Sequence, residues 1–239
     1  MNFLSSTRFL ASYSGLLTLS FIGTVVYGAG RLHDQTFNTV TARRINIVEP
    51  DGTVRLTISN RADFPGAWNR GKEQPRPDRR DAAGMLFMSE EGTEQGGLIW
   101  GAEQLKDGRI ENHVHLSMDQ YEENQVFAID AGQSGNRKFS QITLIDQGDY
   151  PIDEKRQAND RINKLPKEEQ DKAWQAFFAS HRHDVRRLVL GRAPDQAVGL
   201  TLSDGSGAAR LVVKVRPDGS PVIEFLDRSG KVTKEISGE

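Results

Sequence analysis

The stretch RLVLGRAPDQAVGLTLSDGSGAA, residues 187–209, runs without a gap into RLVVKVRPDGSPVIEFLDRSGKV, residues 210–232. Eight of the 23 aligned positions are identical: Arg187/Arg210, Leu188/Leu211, Val189/Val212, Pro194/Pro217, Asp195/Asp218, Asp204/Asp227, Ser206/Ser229 and Gly207/Gly230. Between these anchors the residues alternate. Leu211, Val213 and Val215 fall on one face of an extended strand, and Arg210, Val212 and Lys214 on the other. After RPDGSP, whose proline and glycine favour a tight reversal, Ile223 and Phe225 alternate about Glu224. DRSG then supplies an aspartate that bonds its own turn and a glycine that tolerates positive φ. Each copy predicts a β-hairpin.

The unit recurs upstream. In VEPDGTVRLTISNRAD, Gly52, Arg55, Leu56 and Asp63 match Gly207, Arg210, Leu211 and Asp218, and GMLFMSEEG answers GLTLSDGSG. Further strands are expected at residues 97–100, 114–118, 126–130 and 139–146, most of them bounded by Gly or Asp turns. About a dozen short strands in sequence describe a mainly β fold, an antiparallel meander of repeated hairpins. A barrel-like sheet is preferred to a sandwich, because closure removes exposed edges. The expected inward residues are Leu56, Ile58, Met85, Phe87, Leu188, Leu190, Leu200, Leu202, Leu211, Val213, Ile223 and Phe225.

Residues 9–30, FLASYSGLLTLSFIGTVVYGAG, carry no charge. As a helix they span roughly 33 Å, the thickness of a bilayer core. A single-pass anchor over residues 1–32, a linker at 33–43 and a β domain at 44–239 follow. No clean small-residue cleavage pattern closes the segment, so an uncleaved anchor is preferred to a signal peptide. Ser20, Thr24 and Gly28 form a small-residue face. Arg8 precedes the segment while Arg31, Arg43 and Arg44 follow it, which would favour a cytoplasmic domain. Folded domains cross membranes largely regardless of such charges, and an extracytoplasmic domain is expected.

The chain has 31 Lys+Arg against 33 Asp+Glu, a balance that argues against general attraction to nucleic acid. Cysteine is absent, which excludes disulfides, thiolate catalysis and Cys-ligated metal centres.

Two insertions break the hairpin rhythm. Residues 61–84, RADFPGAWNRGKEQPRPDRRDAAG, read as a proline-bearing surface loop rather than a strand. Arg70, Lys72, Arg76, Arg79 and Arg80 with Trp68 make it the candidate contact surface for a protein or an anionic lipid, with Asp63, Glu73, Asp78 and Asp81 as local neutralising partners. Residues 151–183 change to a helical period, with Ala173, Trp174, Phe177 and Phe178 clustered after Pro166.

His113/His115 and His181/His183 are two His-x-His pairs that, brought together with Asp119, Glu122 or Glu123, would suit zinc and activate a water. Glu90, Glu91, Glu94, Glu122 and Glu123 offer carboxylates for a glycosidase pair, and Asp130, Asp146, Asp149 and Asp204 offer oxygen ligands near glycines; solvated faces and turn formation account for both sets. Nucleophile-elbow, phosphate-loop and dinucleotide motifs are absent.

RINIVEPDGTVRLTISNRADFPG, AGMLFMSEEGTEQGGLIWGA and HLSMDQYEENQVFAIDAG resemble a bacterial family of unassigned activity in which a hydrophobic N-terminal segment precedes a β-rich domain. That resemblance implies a bacterial source and brings no functional residue with it. The sequence is therefore read as a membrane-anchored binding or structural module of the cell envelope. It would engage the membrane through residues 9–30 and would use no cofactor. The alternative is a metal-dependent hydrolase built on the two histidine pairs.

Overall fold

The computed structural model describes residues 7–30, 36–76, 79, 82–193 and 195–238. Arg31, Asp78, Arg80, Asp81 and Pro194, read above, lie outside them. The chain divides into two compact units, Met1–Ala42 and Arg43–Glu239.

The first unit holds helix α1 (Thr7–Gly30), of which Thr7–Tyr27 is long and apolar enough to cross a membrane. Length and composition are equally those of a signal sequence. Thr18 donates its hydroxyl to the Ser14 carbonyl at 2.9 Å, and Thr24 donates to Ser20 at 2.8 Å. These hydroxyls find partners in their own helix, which lets polar residues sit in apolar surroundings.

The second unit is built on strands β1 (Arg44–Val48), β2 (Val54–Ser59), β3 (Ala67–Asn69), β4 (Lys72–Gln74), β5 (Ala83–Met88), β6 (Glu94–Gln104) and β7 (Ile110–Asp119). β8 (Gln125–Ser134) and β9 (Arg137–Asp146) lead to helices α2 (Ile152–Ile162) and α3 (Lys167–Ala179). β10 (Val185–Arg192), β11 (Val198–Ser203), β12 (Ala209–Val215), β13 (Pro221–Leu226) and β14 (Val232–Ser237) complete the chain. Twelve strands form one antiparallel sheet in the order β1-β2-β5-β6-β7-β8-β9-β10-β11-β12-β13-β14. The meander read from the repeats is present.

The repeat has a structural cause. Arg187, Arg210 and Arg55 each donate Nε to a carbonyl across the hairpin, on Ser203, Leu226 and Met88 at 3.0, 3.0 and 3.2 Å. Asp204, Asp218 and Asp227 each accept from the backbone and hydroxyl of the serine two residues on, with hydroxyl distances of 2.6 Å. Gly207, Gly219 and Gly230 follow at φ near 90°, where a β-carbon would be strained.

The barrel-like form is corrected: β1 and β14 are the two ends of the sheet and do not pair. A closed sheet would pair its first and last strands; here both margins stay open. Opposed residues run straight across as Ile45, Ile58, Met85, Leu98, Leu116, Ile129, Ile142, Leu190, Leu200, Val213, Ile223 and Ile236. A parallel row runs Ile47, Leu56, Phe87, Gly96, Met118, Phe127, Leu144, Leu188, Leu202, Leu211, Phe225 and Lys234.

All twelve residues expected to point inward lie on this face. They share it as the alternation requires, but it is the open one: Ile58, Leu190 and Phe225 are 39, 44 and 39% exposed. The opposite face carries the small row Thr57, Leu86, Gly97, Ser117, Ala128 and Thr143, all buried, with Thr57 at 1% and Thr143 at 3% exposure.

Both insertions pack in the second unit. Residues 61–82 contain the β3–β4 hairpin, correcting the reading of a strandless loop. Phe64 and Trp68 cover Val54, Leu86 and Met88. Helices α2 and α3 each follow a proline, Pro151 and Pro166, and open with acidic pairs that suit the positive end of the helix dipole. Between them Tyr150, Ala158, Ile162 and Phe177 form a second core, flanked by Ala173, Trp174 and Phe178.

A candidate binding cleft on the small-residue face

Small residues on β6 and β7, Gly97 opposite Ser117, leave room above the sheet. Gly97 fixes this closeness, because a β-carbon there would lie 2.5 Å from the Met85 carbonyl oxygen and 2.8 Å from the Leu86 side chain. The loop closes one side and the helices another, tied together where Asn69 donates to Asp153 at 2.5 Å. The result is a cavity of about 460 Å³, lined among others by Trp68, Arg79, Glu94, Asp119, Asn124, Lys155, Asn159 and Trp174. A neighbouring cavity of about 390 Å³ shares Arg76, Arg79, Glu94, Ser117 and Gln125 with it and reaches His113 and His115.

Arg79 anchors the loop with a two-pronged pair to Glu94, at 2.6 and 2.9 Å, and a bond to the Gly66 carbonyl at 3.1 Å. Both side chains are largely shielded, 18 and 12% exposed, a setting in which a bidentate guanidinium pair is strong. Lys155 and Tyr150 both donate to Asp184, holding α2 against the start of β10. Burial alone would raise the Asp184 carboxyl, but these bonds and the Gly148 amide outweigh it and hold the group below the usual range.

Asp119 is the exception. Burial, reinforced by the charge of Glu94, pushes its carboxyl up from 3.8 to about 7, and Arg79, His115 and Arg156 only partly offset this. Its Oδ1 and the indole N–H of Trp68 are buried without a hydrogen-bond partner among the described residues, and both residues line the larger cavity. Buried polar atoms left unpaired cost free energy unless something meets them.

The loop residues singled out in the sequence take different positions. Trp68 and Arg79 line the cleft, as does Arg76. Arg70 pairs with Glu122 at 2.5 Å, both in the left-handed region with φ of 46° and 52°. Lys72 is exposed on β4, and Arg80 lies outside the described residues.

The histidine pairs stay apart in their contacts. His115 Nδ1 meets Asp130 at 2.6 Å, and His113 lines the smaller cavity. His181 stacks on Phe177 and touches Glu154, while His183 stacks on Phe178. Among the described residues no group of three or more His, Asp or Glu is placed to hold a metal ion. Of the other carboxylates, Glu90 pairs with Arg55, Glu91 with Tyr121, Asp146 with Arg187 and Asp149 with the Arg182 amide, whereas Glu123 lines the larger cavity, where burial and the Asp184 charge raise its carboxyl.

The sequence offers Asp119 only as a further ligand to the histidine metal site and Trp174 only as part of an aromatic helix face. A carboxylate at a strand end and a tryptophan on an amphipathic helix are ordinary by pattern. Only the fold brings them together across the cleft. No family model matches this chain, and no curated protein matches it.

Proposed function

We propose that the chain is a membrane-tethered, non-catalytic binding module of a bacterial envelope. Its β domain would lie outside the cytoplasm, and its cleft would hold a polyhydroxylated ligand such as a saccharide. The cleft chemistry carries this reading. Trp68 and Trp174 each lean on a hydrophobic cluster and line the cavity, a pairing suited to the apolar face of a sugar ring. Around them stand both donors and acceptors: the unpaired Trp68 N–H and Asp119 Oδ1, with Asn124, Gln125 and Asn159. Hydroxyl groups donate and accept, so one ligand class satisfies both kinds. Arg70 and Arg79 are engaged by Glu122 and Glu94, which favours a neutral ligand over an anionic lipid at the loop.

The test uses the full-length chain in lipid nanodiscs, titrated with neutral oligosaccharides while tryptophan emission is followed. Asn159→Ala and Trp174→Ala should each weaken binding about tenfold, the scale of one lost contact worth about 1.4 kcal/mol. Absence of binding across the panel, or affinity unchanged in both variants, refutes the ligand class. Binding of anionic vesicles that is lost on Lys72→Gln would make lipid the partner instead. Alkaline extraction that releases the intact, uncleaved chain from membranes would refute the tether.

A further inference from the structure

The two straight rows described above give the sheet an apolar band that crosses all twelve strands. Among the described residues no apolar side chain of either row is buried, and Ile47, Met118, Leu144, Leu190 and Ile236 are 41 to 52% exposed. Lys234 is the one charged residue in the two rows. Strands lie about 4.8 Å apart, so the band is roughly 50 Å long; two rows of side chains make it roughly 12 Å high, and its area is roughly 600 Å². Scattered exposed apolar residues need no explanation, but a contiguous patch of this size on a soluble domain marks an interaction surface.

We propose that this band is the surface on which a second copy of the chain packs, the two sheets meeting face to face as a sandwich. The area fits: two such bands bury roughly 1,200 Å² in total, within the range of specific interfaces. The shape fits as well, because straight rows of branched and aromatic side chains interdigitate with a like surface at the spacing of stacked sheets.

Charged turns border the band at both ends of the strands. The hairpin turns at one end of the strands carry Asp51, Glu90, Asp204 and Asp227, and those at the other end carry Asp107 and Asp218. Hydrogen bonds from neighbouring backbone and side-chain groups hold all six below the usual carboxylate range. The same turns carry Lys106, Arg109, Arg216, Arg228 and Lys231, and a partner sheet covers the band while leaving these charged ends of both signs in water. Tethering both copies to one membrane raises their effective concentration and favours the pairing.

Because the chain has no cysteine, single cysteines report on this directly. Full-length Ile129→Cys and Leu190→Cys, on the band, are compared in proteoliposomes with Lys106→Cys on an exposed turn. A water-soluble maleimide should label the band positions at least tenfold more slowly than the turn. A short bis-maleimide should link two chains through the band. Labelling of the band at the turn's rate would overturn the proposal. So would cross-linking confined to Thr233→Cys, which reports edge-to-edge pairing, or to Ser20→Cys, which reports pairing of anchors alone. Protection of the band in a chain that stays single would put lipid there and would equally overturn it. Cysteine at positions already partly exposed is a mild change, so folding is retained in these variants.

Discussion

Asp119→Asn should stabilise the domain by an amount that grows as pH rises from 3.8 and is complete above about 7. The folded carboxyl titrates near 7 against an ordinary 3.8, because burial and the Glu94 charge penalise the ionised form. Between those two values the folded chain keeps a proton that the unfolded chain has released. Stability therefore falls as pH rises through that window, and the full penalty stands above about pH 7. At about 1.4 kcal/mol per pH unit the gap amounts to on the order of 4 kcal/mol, an upper bound because water in the adjoining cavity solvates the charge. Asparagine keeps the shape and carries no charge, so it escapes the penalty. For a domain of this size each kcal/mol moves the melting temperature by about 3 °C, which gives a gain of up to about 12 °C at pH 8.5. Near pH 4, where Asp119 is neutral when folded, the gain should vanish. Differential scanning calorimetry of the full-length chain across this range is the assay. Equal melting of both forms at pH 8.5, or a gain that persists unchanged at pH 4, would refute the assigned environment.

Two further substitutions probe the same face. Thr143 buries a hydroxyl without a partner among the described residues, so the isosteric Thr143→Val should gain about 1 kcal/mol in chemical denaturation, and a loss would show that the hydroxyl is bonded in solution. Arg79→Met strands Glu94 in a shielded site and should cost about 3 kcal/mol, while the double variant Arg79→Met/Glu94→Gln should recover much of it; a double variant no better than the single one would mean that the pair is not coupled.

The hairpins were legible because their causes are local. An aspartate bonds a serine two residues on, a glycine follows at positive φ, and alternation sorts residues such as Leu211 and Val213 onto one face. What lies against that face is not local. Period two groups residues without saying whether a second layer covers them, which is why Leu190 and Phe225 were expected inside. The open edges were illegible for a similar reason: closure depends on geometry accumulated over eleven pairings. The helical insertion was read from its change of period, whereas the β3–β4 hairpin has strands of three residues, too short to show any period. In the cleft, Trp68 was found by its place in an interruption of the repeat. Asp119 owes its environment to Glu94, Arg79 and Arg156, residues that no spacing rule connects to it.

The meander makes each strand of the sheet a neighbour only of the strands paired with it, so the domain behaves as a one-dimensional array. Cooperativity in such an array is transmitted by contact rather than shared by a common centre. Loss of β14 removes one pairing and leaves the rest of the ladder intact, whereas a break at β8 separates the array into halves. Amide exchange should accordingly grade from slow in the long central strands to fast at both margins. The same geometry tolerates growth, since duplication of a 23-residue unit at the C-terminal margin would add rungs without disturbing those already made.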